Sequence, residues 1–457
     1  MVNFADNVFS SIRFSFFVAT FINYKPILFF MRRLLFSALL AASFSGAVAQ
    51  TAREEIHAKK ERSGSNYLAY EPPTQQLTPS PKGYEPFYIN HYGRHGSRWL
   101  IGENDYKRPL ATLREAHEAG ELTALGEEVL QRFERFYPTT IKRLGDLTTV
   151  GERQHHGIGK RMTERFPEVF KGKAEVDARS TVVIRCILSM EAECEEITAF
   201  NPDIKIHNDV SEAFQYYLNQ EDSKYMHDIR WVGDDVKAAY RDKFTQPERF
   251  CGLLFKKGVK YFERESHAKT FMRRMFEVCS NMQSHDTDIS FYDLFTEDEL
   301  YDLWKTKNIE WYINYAASPL SKTIVPFCQY NLLKNMLDTA DTILVSGRHG
   351  ATLRFGHEVC VLPLACLLEL DSCGRQVENL DDLDKQWVNY RIFPMGCNIQ
   401  LVYYRPKKGK SGDVLVKALL NEKEATLPVH TDRYPYYRWK DVEAYFRNKL
   451  ASYREED

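Results

Sequence analysis

The chain has 457 residues, 44% hydrophobic and 27% charged, which is a globular composition long enough for two or three domains. Its formal net charge is only -2, so the overall balance excludes a general attraction to nucleic acid or to an anionic membrane, and any anion specificity must be local. Nine irregularly spaced cysteines without a CxxC pair describe neither a dense disulfide framework nor a zinc site, and most are expected to be buried thiols.

Met31 to Gln50 reads MRRLLFSALLAASFSGAVAQ: two arginines, an apolar run from Leu34, and small residues at Ala47 and Ala49. This predicts a secretory signal peptide over 31–49, cleaved after Ala49, and hence a periplasmic or secreted protein. Residues 1–30 fit no targeting pattern and read as a mis-assigned extension ahead of a start at Met31. The alternative is a two-helix membrane anchor using the apolar run from Phe14 to Ile22. No later segment offers the roughly 20 consecutive apolar residues of a bilayer span, so none is expected in the mature chain.

Residues 50–83, polar and dotted with proline, read as an irregular lead-in. Phe87 to Tyr92 is a β-prone run stopping at Gly93, which puts the following RHGSR on a loop at a strand end. A helix is predicted after Thr148, a cap candidate followed by Ile158, Met162 and Phe166. Val176 to Leu188 reads as extended, then helical. Residues 206–335 lose alternation and become long amphipathic stretches, which suggests an inserted, mostly helical cap domain. Thr342 to Val345 returns to a β-branched run, Val359 to Leu370 reads as a buried helix, and Asn398 to Arg405 and Val414 to Leu420 read as strands. A polar helix follows Trp439. Residues 84–205 and 336–457 thus make an α/β domain, a three-layer α/β/α sandwich, with the cap between its halves.

The sharpest chemical signal is Arg94-His95-Gly96-Ser97-Arg98. A histidine between two arginines on a strand-end loop can direct its imidazole at a tetrahedral phosphorus while guanidiniums hold the non-bridging oxygens. Gly96 allows the backbone to approach the bound group. Arg348-His349-Gly350 repeats three of these letters but has Thr352 where the second arginine is needed, and reads as a loop turn. His91, His155 and His156 have no partner motif and are expected to be structural.

Two further elements, Arg179-Ser180-Thr181 with Arg185 beyond it, and Gly356-His357-Glu358, complete a resemblance. Together with LTTVGERQ (Leu147 to Gln154) and LLNEKEATLPV (Leu419 to Val429), they resemble the histidine phosphatase superfamily, in the branch of histidine acid phosphatases, phytases and multiple inositol polyphosphate phosphatases. The similarity runs from about Tyr84 to Trp439. It implies that His95 is the nucleophile that becomes phosphorylated, that Arg94, Arg98, Arg185 and His357 bind the substrate phosphate, and that Glu358 protonates the leaving alcohol. Such a histidine phosphatase needs no cofactor and no metal, and its partner would be a phosphorylated small molecule, most of all inositol phosphates. Family members carry His-Asp or His-Ala-Glu where this chain has His357-Glu358-Val359, so the acid is adjacent but one methylene longer than aspartate. A competing role for Glu358 is a carboxylate facing a helix N-terminus, and for Arg185 an ion pair with Glu191 or Glu195. A general acid or sugar phosphatase, a phosphoglycerate-mutase-like transferase and a catalytically silent phosphate-binding protein are the rival functions. The basic run of Lys256, Lys257, Lys260, Arg264, Lys269, Arg273 and Arg274 is either a solvated helix face or a rim for outer phosphates, and Lys160 and Arg161 are similar candidates.

Overall fold

The computed structural model describes residues 51–219 and 231–453. The extension and signal peptide expected over 1–49 lie outside the described residues, as do 220–230 of the helical stretch.

The strands are β1 (Tyr84–Arg94), β2 (Glu175–Ser180), β3 (Lys205–Val210), β4 (Gly350–Gly356), β5 (Asn398–Pro406), β6 (Leu415–Leu420), β7 (Lys423–Ala425) and β8 (Tyr437–Arg438). They form one sheet in the order β3-β2-β4-β1-β5-β6-β7, with β8 also paired to β6. From β3 to β1 the pairing is parallel; β5, β6 and β7 are antiparallel. The helices used below are α1 (Glu103–Glu118), α2 (Ala124–Phe136), α3 (Thr149–Arg165), α4 (Ile184–Phe200) and α5 (Asp234–Lys243). They continue with α6 (Glu265–Asn281), α7 (Glu297–Tyr315), α8 (Tyr330–Ser346), α9 (Glu358–Leu367) and α10 (Trp439–Ser452).

Alternation along the strands divides the core into two layers. Ile89, Val176, Leu353 and Val402 pack with Met162 of α3 and Met190 of α4. Tyr92, Leu401 and Tyr403 face the other way, onto Leu333 of α8, Val361 of α9 and Phe446 of α10. Helices on both faces of a sheet make the expected α/β/α sandwich. A third apolar cluster contains no strand residue: Leu113 of α1, Phe133 of α2, Met275 of α6 and Trp304 of α7 pack on one another. The helical half therefore recruits α1 and α2, which come from the α/β segment of the sequence, as well as the stretch after residue 210.

Three local expectations differ from the fold. Residues 206–210 belong to edge strand β3 rather than to the helical stretch. Thr342 to Val345 is the last turn of α8, not a strand: the helix is set by Leu333, Met336, Leu337 and Ala340 on its buried side, and Val345 is left 90% exposed. The lead-in is ordered over its first part. Thr51 forms a capping box for the helix Ala52–Ala58, and a 3-10 segment, Lys60–Tyr67, buries Ser63, Gly64, Ser65 and Asn66 against α6 and α7.

Candidate active site

Parallel pairing brings three strand ends together. Arg94 is level with Gly356 across β1 and β4, and Ser180 is level with Phe355 across β2 and β4. The residues leaving these strands at the carboxyl end of the sheet, beside the switch from parallel β4 to antiparallel β5, are the ones singled out in sequence.

The loop after β1 is fixed on every side. His95 N–H donates to Gly356 O at 3.0 Å, Arg94 N–H to Cys397 O at 2.8 Å, and Gly396 N–H to His95 O at 3.0 Å. The start of α3 closes over the loop. Thr148 N–H and its hydroxyl both donate to Ser97 O, at 2.9 and 3.0 Å, while Gln154 accepts from Ser97 N–H at 2.9 Å and donates to its Oγ at 3.0 Å. Thr148 also caps α3 by accepting from Gly151 N–H. Contact is so close that a Cβ at Gly96 would lie 2.4 Å from Gly151 O, and one at Gly151 would lie 2.2 Å from Ser97 O. Both glycines are required by backbone meeting backbone.

The His95 ring is buried, and its Nδ1 lies 2.8 Å from Gly96 O. A carbonyl only accepts, so Nδ1 carries the proton and Nε2 keeps its lone pair. Nε2 has no hydrogen-bond partner among the described residues. Burial, and then the positive charges of Arg94, Arg185 and Arg98, hold the imidazole pKa well below its ordinary value, so the ring is neutral.

Three guanidiniums surround it. Arg94 is fully buried, anchored through Nη1 to Asn66 O at 2.6 Å and Phe393 O at 3.2 Å, and through Nη2 to Glu358 Oε1 at 2.8 Å. Arg98 is held by Trp99 O at 2.9 Å and lies over the Tyr67 ring. Arg185, in the first turn of α4, donates to Gly145 O at 3.3 Å and makes no ion pair with Glu191 or Glu195. All three leave the Nε donor unpartnered among the described residues. Burial lowers the pKa of Arg185, and the charges of Arg98 and Arg94 add to that.

His357 and Glu358 leave β4 at the start of α9. The His357 ring stands edge-on to that of His95, centroids 5.6 Å apart, with Thr181 and Cys186 behind it. Burial, and then the Arg185 charge, bring its pKa down to about 4. Gly356 is required here because a Cβ would lie 2.1 Å from the Tyr92 hydroxyl, which accepts the His357 N–H. Glu358 Oε2 lies 3.8 Å from His95 Nε2, and Oε1 accepts from Arg94 and, at 3.2 Å, from Asn66 Nδ2. Burial raises the carboxyl pKa, but Arg94 and Arg98 outweigh it and hold it at about 2, so Glu358 is ionised. Its place in the first turn of α9 also faces it to the helix dipole, the structural role considered for it.

Arg94, His95, Arg98, Arg185, His357 and Glu358 therefore converge. Sequence reasoning missed Asn66, which bonds both Arg94 and Glu358, and the role of Gln154, whose LTTVGERQ context was noticed but not its grip on Ser97. Arg179 is structural, paired with Asp177 and stacked on Phe214. His155 bonds Glu193 and His156 bonds Glu196, while His91 packs on Phe355. Arg348 and His349 lie on the turn before β4. Arg161 is bound to buried Glu422, and Lys160 is exposed. His95, His357 and Glu358 also form the one group with metal-ligand spacing found among the described residues. Three guanidiniums against one carboxylate make this pocket a receptor for an oxyanion rather than a cation.

An α/β/α sandwich with a helical half is a fold shared with inositol polyphosphate phosphatases and phytases of known structure. Among solved structures it is similar to the Bifidobacterium longum multiple inositol polyphosphate phosphatase in complex with inositol hexasulfate, with a TM-score of 0.69 and 17% identity over 84% of this chain and 97% of that one. The phytase from D. castellii gives a TM-score of 0.65 and 13% identity over 89% of each chain. The resemblance read from the motifs thus holds for the fold. By sequence the chain matches no protein-family model and no curated protein.

Proposed function

We propose that the protein is an exported phosphomonoesterase that works through a phosphohistidine at His95, on inositol hexakisphosphate and lower inositol polyphosphates. The observation that carries this reading is the neutral His95 ring, its Nε2 lone pair free and surrounded by three guanidiniums with unused donors.

In the first step Nε2 attacks phosphorus and the bond from phosphorus to the ester oxygen breaks. The equatorial oxygens are held by Arg94, Arg98, Arg185 and His357. The leaving alkoxide takes a proton from Glu358. A bound phosphate neutralises the guanidiniums that keep Glu358 ionised, and its own negative charge opposes a second one nearby, so the carboxyl pKa rises and Glu358 takes up, from the bound phosphate monoester or from solvent, the proton it then gives to the leaving oxygen. In the second step Glu358 takes a proton from water, water oxygen attacks phosphorus, and the bond from phosphorus to Nε2 breaks to release phosphate.

Several findings support the substrate class. The fold is shared with phytases, and the B. longum protein holds inositol hexasulfate, which carries sulfates where the hexakisphosphate carries phosphates. Export rests on the leader over 31–49. No helix among the described residues is long and apolar enough to cross a membrane.

The test is purified protein incubated with phytate, products resolved by chromatography over time, beside p-nitrophenyl phosphate and glucose-1-phosphate. Stepwise loss of phosphates from phytate is expected. Turnover of the simple esters alone would make it a general acid or sugar phosphatase, and no release from any of them would leave a silent phosphate-binding protein.

A further inference from the structure

Three cations of the basic run in the helical half are satisfied within the protein. Lys256 donates to Gly120 O, Lys257 pairs with Glu121, and Lys269 is held by Asp242 and Glu265. These are satisfied cations. Arg273 and Arg274 are different: neither makes an ion pair among the described residues, and Arg273 spends one donor on Thr270 Oγ1 at 3.1 Å. Both line a cavity of about 280 Å³ between α5, α6 and α7, where Arg241 and Lys307 join them.

The same cavity holds two carboxylates, and both are engaged. Glu310 takes Arg241 at 3.0 Å and Lys307 at 3.8 Å, and Glu277 accepts the Tyr67 hydroxyl at 3.3 Å. Four cations face two acids. Burial, and next the Arg241 charge, push the Arg273 pKa below its ordinary value, whereas for Lys307 Glu277 and Glu310 outweigh burial and raise it, so the unbalanced cation of the cluster is Arg273. Guanidiniums half out of water with unused planar donors suit a tetrahedral oxyanion.

We propose that the cavity lined by Arg241, Arg273, Arg274 and Lys307 is a second oxyanion site, separate from the His95 pocket and taking a phosphate group. That group is supplied either by free orthophosphate or by a phosphate carried on a larger ligand. The site is linked to the His95 pocket through one chain of contacts, Glu277 to Tyr67 to Arg98.

Crystals of the whole protein soaked in tungstate test this without reference to catalysis. A tungsten peak between Arg273, Arg274 and Lys307 is expected, and its absence overturns the proposal. A peak or its absence between Arg94, Arg98 and Arg185 is read independently and bears only on the proposed activity. A parallel soak of the His95→Ala variant with inositol hexakisphosphate distinguishes the sources. Ring density reaching the cavity identifies a carried phosphate, whereas the tungstate peak without it identifies the free anion. In solution, calorimetric titration with inorganic phosphate should show one class of site weakened at least tenfold in Arg273→Gln/Arg274→Gln and in Lys307→Gln, two variants that need not share a folding defect. Unchanged binding in whichever of these variants folds would overturn the proposal as well.

Discussion

Arg94 and Glu358 meet at 2.8 Å in a pocket that leaves the arginine fully buried and the glutamate 7% exposed. Each is the other's principal charge partner, and each also stands in the shell around His95. The carboxylate is an ion-pair partner in the structure, and the proposed mechanism gives it a second role as proton donor.

Replacing Glu358 by Gln separates the two roles. Loss of general acid catalysis costs about 10²- to 10⁴-fold in kcat. The loss should be large for phytate, whose alkoxide needs a proton, and much smaller for p-nitrophenyl phosphate, whose phenolate leaves without one. Steady-state kinetics on both substrates check this, and equal losses on both would remove the acid role.

The same ion pair predicts how stability depends on pH. The carboxyl pKa is depressed from 4.5 to about 2, so the stabilisation is present above 4.5 and is lost as pH falls through about 2. A shift of this size corresponds to about 3 kcal/mol. Thermal melts between pH 6 and pH 2.5 should show a steep acid loss in the native protein and a flatter one in Glu358→Gln. That variant starts from lower stability at pH 6, because Arg94 is left buried without its counter-charge.

His95→Ala should abolish turnover, by at least about 10³-fold, since the proposed mechanism forms its intermediate on His95 Nε2 and the variant has no such nitrogen. Alkali-quenched turnover of labelled substrate should trap an acid-labile, alkali-stable phosphohistidine in the native chain and none in the variant. Because the ring pKa lies well below 6.5, the nucleophile stays neutral in mild acid. The rate should therefore not fall tenfold for each pH unit below 6.5, as it would with an exposed histidine.

Gly96→Ala and Gly151→Ala each drive a methyl group into backbone, at 2.4 and 2.2 Å. Either should cost about 2–4 kcal/mol and most of the activity. Denaturant melts and kinetics on the two variants check this, and a fully stable, active alanine variant at either site would contradict the close contact.

Asn66→Ala removes the hydrogen bond that Asn66 Nδ2 donates to Glu358 but leaves Asn66 O in place for Arg94. A fall of about three- to tenfold in kcat is expected, following the loss of roughly 1 kcal/mol in one hydrogen bond. Kinetics on phytate measure it.

The site was legible where its residues cluster in sequence. Arg94, His95 and Arg98 share one loop, and His357 and Glu358 share one helix start, so motif and geometry coincide. Arg185 was reached only through its family spacing, because nothing local distinguishes it from a helix arginine paired with Glu191. Asn66 was not legible at all: it sits in a polar stretch whose burial depends on α6 and α7, far along the chain. The sheet followed from strand runs and caps such as Thr148. The misread turn of α8 shows β-branched residues losing to the helical periodicity of Leu333, Leu337 and Ala340, and the recruitment of α1 and α2 into the helical half depends on long-range apolar packing that no local pattern encodes.

The pocket draws its parts from the ends of β1, β2 and β4, segments more than two hundred positions apart along the chain at their extremes. No fragment holding one or two of these ends owns a receptor for an oxyanion, so occupancy and completed strand pairing become thermodynamically inseparable. Vanadate or orthophosphate in the growth or refolding medium would then act as a chaperone for the whole sheet, drawing the ensemble towards the finished fold by mass action.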